Sequence, residues 1–553
     1  MQSLGFPAIS AVAALALATT IASLVVPVEA QITVLDNFSK ASSSPNGASL
    51  AGVIAQGRDG NLYTTTPDFW SSNLGRVIRV TPAGSLTTLL VFNGTDGATA
   101  ESGLTLGTDG NYYGATESGG PNSQGTLFKI TSRGHITVLH NFTGGDDGGT
   151  PIAPPVEGLD GNYYGTTSMG GSVGNTGTIY RITPSGAFTT IHTFGFDEEA
   201  FGFPFGNPPL ILGSDGNFYG VTCSGGPQDF GTVYRITDTG TYKTLINFDK
   251  TDGWCPDGPL VEGSDGDFYG ATFEGGAGEG GTFYKISPSG EFTLLYTVGD
   301  ADTNGCGPVG LTLATDGNFY GTTLDCGPNG GSQGFGTIFK MTANGDFSVI
   351  HDFDGPTGTN DSVPMVQHTN GKLYGDTEGG GTNGVGVFFS YDIGAAPFVA
   401  FLPSARIVAN TVEIFGQGFT GSTAVSFNGT AASFQVMRDT YITAIVPEGA
   451  ATGFITVTTP SGALTSNRKF QVRPKINSFK PSSGGPGTSV VIQGDSLNGT
   501  TKVKFGNGKS VSVTINSDKQ LTAVVPSGAT TGKIAVTTTG AASYSSTNFS
   551  VTR

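Results

Sequence analysis

The sequence predicts an all-β chain, a seven-bladed β-propeller over residues 31–394 followed by two small β-sandwiches at 395–473 and 474–553. Three observations predict it. Gly accounts for 89 of 553 residues and charged residues for only 12%, while 37% are hydrophobic and 10% aromatic, a balance that builds a β core rather than a disordered chain. A turn motif, Asp-Gly or once Asn-Gly, recurs at Asp59, Asp109, Asp160, Asp215, Asp265, Asp316 and Asn370, at spacings of 50, 51, 55, 50, 51 and 54 residues. Finally, ITVLDNF at Ile32–Phe38 nearly duplicates ITVLHNF at Ile136–Phe142.

Residues 1–30 read as a signal peptide. Ala8 to Val28 is almost wholly apolar and ends in Val28-Glu29-Ala30, a small-x-small cleavage pattern that makes Gln31 the first mature residue. No Lys or Arg precedes the run, so an uncleaved anchor is the alternative. Later segments carry no transmembrane pattern, which points to a secreted or cell-surface protein.

Each repeat contains four short alternating runs. The fourth reads PPLILGS, a turn at DGN, FYGVTCSGG, a loop, GTVYRIT, a turn at DTG, then TYKTLINF. Asp-Gly predicts a type I′ hairpin turn, in which both central residues take positive φ. The seventh repeat lacks a fourth run, and Ile32–Phe38 supplies it, which would close a propeller and hide its edges. The repeat units resemble the GloVer type of tandem repeat found in secreted bacterial proteins, as in GSDGNFYGVT followed by GTVYRITDTG. That resemblance implies export and repeat architecture and supplies no catalytic residues.

Beyond Gly394 the composition shifts. Two segments of about 75 residues share short strands and a VP-x-GA-x-TG pattern, at Val446–Gly453 and Val525–Gly532. They resemble IPT/TIG immunoglobulin-like domains, which implies a spacer, attachment or protein-contact role. Charge divides at the same boundary. Residues 31–394 carry 13 basic and 37 acidic side chains, residues 395–553 carry 13 basic and 5 acidic. An acidic body excludes nucleic acid as its partner, since phosphate binding needs clustered Lys and Arg.

The repeats separate structural columns from variable ones. Tyr63, Tyr113, Tyr164, Tyr219, Tyr269, Tyr320 and Tyr374 fill one column in every repeat and read as packing residues with a bonded hydroxyl. His140, His192 and His351 share an outer-strand column on separate repeats, so they are not a metal cluster. Among the variable positions, Trp70 and Trp254 lie in loops, and Glu117, Glu274, Asp325 and Glu378 follow the second strand of different repeats. Aromatic surfaces beside carboxylate acceptors suit an extracellular glycan; the competing reading is a Trp packing plug.

Asp300, Asp302 and Asn304 open a D-x-D-x-N-G loop whose oxygens suit calcium, although the twelfth position is Leu311 and plain turn chemistry explains the same pattern. No other cofactor is indicated. Four Cys allow three connectivities, and loop proximity favours Cys223 with Cys255 and Cys306 with Cys326. The function that follows is a non-catalytic binding or adhesion protein whose partner is a glycan or a cell-surface protein. The alternatives are a polysaccharide-active enzyme using two carboxylates, and a surface-structural protein.

Overall fold

The computed structural model describes residues 31–39, 52–67, 74–195, 208–299, 304–329, 334–360, 363–538 and 542–552. The signal segment 1–30 lies outside them. All regular structure among the described residues is β, and no helix there is long and apolar enough to cross a membrane.

Each repeat forms one small antiparallel sheet. In the third, Val156–Glu157, Tyr163–Thr167, Thr178–Ile182 and Phe188–Thr193 pair in sequence order. The other repeats follow this order, with an added strand, Cys306–Pro308, in the sixth. In the seventh, Gln31–Asn37 pairs with Val387–Asp392, placing Ile32 opposite Tyr391 and Val34 opposite Phe389. The second and third strands are buried almost throughout because both faces of each sheet are covered, and that is why Val, Ile, Thr, Phe and Tyr dominate them.

The propeller expected from the sequence is corrected here. The chain consists of several four- and five-stranded antiparallel sheets, none closed into a barrel or curled as a propeller blade. The first strand of a repeat is only two residues long, as at Ala55–Gln56 and Ile211–Leu212, and makes only two ladder pairs. So short a strand carries little of the twist that accumulates across a full-length sheet.

The hairpin turns also differ from expectation. Gly57 N–H donates to the Asn61 carbonyl (2.7 Å) and Gly60 N–H to the Gly57 carbonyl (3.0 Å), leaving a three-residue loop. Only Gly60 has positive φ (76°), so the turn is a type I turn with a glycine bulge rather than type I′. Asp59 instead accepts from Asn61 N–H (3.2 Å), Asn61 Nδ2 (2.7 Å) and the Tyr63 hydroxyl (2.9 Å). The same Tyr-to-Asp bond spans 2.8–2.9 Å in the next five repeats, at Tyr113, Tyr164, Tyr219, Tyr269 and Tyr320.

Successive repeats pack through aromatic stacking. Tyr63 meets Tyr112 at 4.2 Å between ring centroids, Tyr113 meets Tyr163 at 3.7 Å, and Tyr219 meets Phe268 at 3.9 Å. One apolar cluster joins Tyr374 and Phe388 of the seventh repeat to Leu62 and Ile78 of the first, so the packing order is cyclic. Paired buried threonines, such as Thr116 with Thr126 (3.0 Å) and Thr272 with Thr282 (2.8 Å), tie the second strand to the third.

The tail holds two units of like topology. In the first, Ala400–Leu402, Thr411–Phe415, Tyr441–Ile445 and Phe434–Arg438 form one sheet, and Ala424–Phe427 and Ile455–Thr459 centre the other. In the second, Lys475–Lys480, Ser489–Asp495, Gln520–Val524 and Val513–Ser517 face a sheet containing Thr500–Phe505, Gly532–Thr538 and Ala542–Val551. Each unit has its own apolar core, around Val412, Phe427 and Phe470 in the first and Ile492, Phe505 and Phe549 in the second.

The first unit sits against the hairpin turns of the repeat region. Arg58 pairs with Glu413, its Nε donating at 3.0 Å, and its guanidinium lies 5.2 Å from the Tyr441 ring centre. Thr440 Oγ1 donates to the Arg58 carbonyl (2.8 Å), and Gln417 Nε2 to Thr369 Oγ1 (3.0 Å). Phe415 and Tyr441 join Tyr63 and Tyr112 in one apolar cluster. A Cβ on Gly110 would collide with the Arg58 guanidinium, so the glycine of that turn also makes room for the joint.

Candidate functional site

The variable loops after the second strands and between successive repeats contain the candidate side chains. Trp254 and Glu274 flank the first two strands of the fifth repeat and form a two-way backbone bridge outside them, Trp254 N–H to Glu274 O at 2.7 Å and Glu274 N–H to Trp254 O at 3.1 Å. Phe230 of the preceding repeat meets the Trp254 ring edge-on at 5.8 Å. Both aromatic residues are partly exposed.

This loop is anchored on three sides. Cys255, next to Trp254, is bonded to Cys223 of the preceding repeat. Its N–H donates to the Phe230 carbonyl (3.0 Å), and its own carbonyl accepts from Phe273 N–H (2.9 Å). Cys306 is bonded to Cys326 within the sixth repeat. The Trp254 backbone is therefore fixed before any ligand arrives, which lowers the ordering cost of binding.

A second group forms where the seventh and second repeats approach. Glu101 is mostly buried, and desolvation together with the charges of Glu117 and Glu378 pushes its carboxyl up to about 7. Burial also raises Glu117. Thus Glu117 and Glu378 both act on Glu101, whereas Glu274 is bridged to the Trp254 backbone and Asp325 accepts from Asn360 Nδ2 (2.8 Å). In the fifth repeat Asp257 precedes Leu260 by the same three residues that separate Glu101 from Leu104, and burial raises its carboxyl to about 8.

Sequence reasoning missed Glu101, Asp257 and Phe230. An acid standing three residues before the apolar residue that opens each repeat was the available signal, because the corresponding positions in the third and sixth repeats are Ile152 and Pro308.

Other candidates fall elsewhere. Trp70, Asp300 and Asp302 lie outside the described residues. Asn304 is described, and its Nδ2 donates to the Tyr296 hydroxyl (3.3 Å). An acidic turn at Asp249, just after the last strand of the fourth repeat, is closed by its own neighbours, Oδ1 accepting from Thr251 N–H (3.0 Å), Thr251 Oγ1 (2.6 Å) and Asp252 N–H (3.2 Å). Among the described residues no group of three His, Cys, Asp or Glu side chains could hold a metal ion. His140 stacks on Phe188 at 3.9 Å and His192 on Tyr242 at 4.4 Å, so both are packing residues.

These features define an all-β tandem-repeat protein with an immunoglobulin-like tail and a variable loop face. The chain belongs to the Gloeobacter/Verrucomicrobia repeat family, which matches residues 20–209 and 206–402, and residues 474–551 match the IPT/TIG domain. No curated protein matches the sequence. Among solved structures it is similar to a surface glycan-binding protein from Prevotella bryantii, at 17% identity over 28% of this chain and 41% of that one, with a TM-score of 0.21. It is also similar to a protein from a complex xyloglucan utilization locus in Bacteroides uniformis, at 20% identity over 28% and 48%, with a TM-score of 0.15. A fungal alcohol oxidase in complex with copper matches at 12% identity over 80% of this chain and 98% of that one, with a TM-score of 0.44. The chain spans under half the length of the two bacterial proteins.

Proposed function

We propose that this chain is an exported, non-catalytic glycan-binding or adhesion protein, whose repeat region presents the binding face and whose tail supplies reach or attachment. The observation that carries the reading is Trp254. It is partly exposed, edge-on to the Phe230 ring and bridged backbone to backbone with the acidic residue Glu274, on a loop anchored by the Cys223–Cys255 bond. A flat apolar ring next to an acceptor is what a neutral sugar needs, since its ring face is apolar and its hydroxyls donate.

The test is retention of the full chain in gels containing neutral polysaccharides, with released reducing ends measured on the same samples. Retention without release, weakened about tenfold by Trp254→Ala, is the expected result; a tenfold loss corresponds to about 1.4 kcal/mol. Release of reducing ends that disappears in Glu101→Gln would favour the enzyme reading, because Glu101 and Glu117 would then act as acid and base. Neither retention nor release would move the function to protein contacts at the surface.

A further inference from the structure

The second tail unit, residues 474–553, contains eight basic and two acidic side chains. Both acids belong to the sheet that carries Ser489–Asp495 and Val513–Ser517, or to its turns. Asp495 accepts from Lys519 Nζ (2.7 Å) and Asn477 Nδ2 (3.0 Å), and Asp518 accepts from Asn498 N–H (3.3 Å). The opposite sheet has a different outer face.

There the inward residues Val503, Phe505, Ile534, Val536 and Phe549 are fully buried in the unit's core. Period-two alternation then turns Lys502 and Lys504 outward, and both are exposed. Lys504 stands opposite Ala535, which stands opposite Tyr544, so one row crosses three strands from a cation to an aromatic ring. Tyr544 is 64% exposed, a high value for so large a side chain. Lys502 lies in the neighbouring row, Lys533 pairs in register with Asn548, and Lys509 precedes the edge strand Ser510–Val511. None of Lys502, Lys504, Lys509 and Lys533 enters an ion pair among the described residues.

We infer that this outer face is a binding surface for a carboxylated polysaccharide. Strands about 4.8 Å apart and residues two apart along a strand, about 6.8 Å, set the lysines in a shallow two-dimensional array rather than a single point. Such an array suits a linear polymer with charges spaced along it, and Tyr544 offers a flat ring for a sugar face. A lipid surface is disfavoured because, apart from Tyr544, the face has no large apolar side chain to insert. Nucleic acid is disfavoured because the acidic repeat region in the same chain repels a polymer carrying one charge per about 1.7 Å far more strongly than a uronate polymer with at most one charge per sugar. The surface is independent of Trp254 and takes a ligand of the opposite character.

The experiment is affinity electrophoresis of the full chain in polygalacturonate, in its methyl-esterified form and in neutral dextran, at about 50 and 300 mM salt. Polygalacturonate alone should retard the chain, the more so at low salt. Lys502→Glu with Lys504→Glu should weaken retardation at least tenfold, and Tyr544→Ala should weaken it with the salt dependence preserved. All three positions are exposed, so a circular-dichroism melt matching the parent keeps misfolding apart from lost binding. Trp254→Ala should leave this retardation unchanged, which separates failure here from failure of the neutral-glycan reading. Equal retardation of the charge-reversed variant, equal retention by methyl-esterified polymer, or tighter binding to a DNA duplex would each overturn the assignment. Lysine-dependent self-association without glycan retention would overturn it too, in favour of contact with the acidic repeat region of a second copy.

Discussion

In the repeat region the same polar clasp, a Tyr hydroxyl on an Asp carboxylate, is made at six positions from Tyr63 to Tyr320, and the first six repeats lean on one another through a ring-on-ring contact at each of their five junctions. Each tail unit instead rests on its own apolar core between two sheets. The difference teaches where variation is tolerated. Repeats share their support, so a loop such as Cys223–Trp254–Glu274 diverges while the strands beneath it keep their pattern. A tail unit has only its outer sheet faces free, and there the second unit gathers lysines.

Disulfide reduction breaks this comparison most strongly. Cys223→Ser with Cys255→Ser should destabilise the repeat region by about 2–4 kcal/mol while the Cys-free tail melts unchanged, as differential scanning calorimetry of the full chain would resolve. Next comes the joint. Arg58→Ala strands the buried Glu413 carboxylate and should cost about 2 kcal/mol, freeing the first tail unit so that limited proteolysis cuts between residues 394 and 400.

The third prediction concerns pH. Glu101 has its folded value raised from 4.5 to about 7, so the folded state holds its proton more tightly than the unfolded chain. That contribution favours folding below about pH 4.5 and is lost as pH rises through about 7. Glu101→Gln should therefore raise the melting temperature at pH 8 and flatten the decline across that window. A variant that melts lower at pH 8 than the parent would show the carboxylate to be stabilising instead. The smallest effect sharpens the comparison: Tyr219→Phe removes one clasp among six and should cost about 1 kcal/mol in a denaturant titration.

Much of this was legible beforehand. Repetition exposed the strands, the turn positions, and the pairing of Ile32–Phe38 with the seventh repeat, because register follows from which residues alternate inward. The curl of the sheets was not legible. Alternation sets faces and partners, whereas coiling depends on strand length, and two-residue strands such as Val261–Glu262 leave no periodicity to read. The turn type was misjudged because Asp-Gly alone does not reveal that Gly57 and Asn61 close the loop. Trp254 and Glu274 stood out as departures from repeating columns. Glu101 did not, since its raised carboxyl arises from burial beside two acids distant in sequence.

The pairing of Gln31–Asn37 with Val387–Asp392 has a temporal meaning as well. Six sheets can form as the chain emerges, each from contiguous residues, but the seventh waits for a strand made some 350 residues earlier. Until then one apolar edge is open and the first strand is unaccompanied, so the slowest and most aggregation-exposed moment in the life of this molecule falls as the seventh repeat emerges, before the two tail units are made.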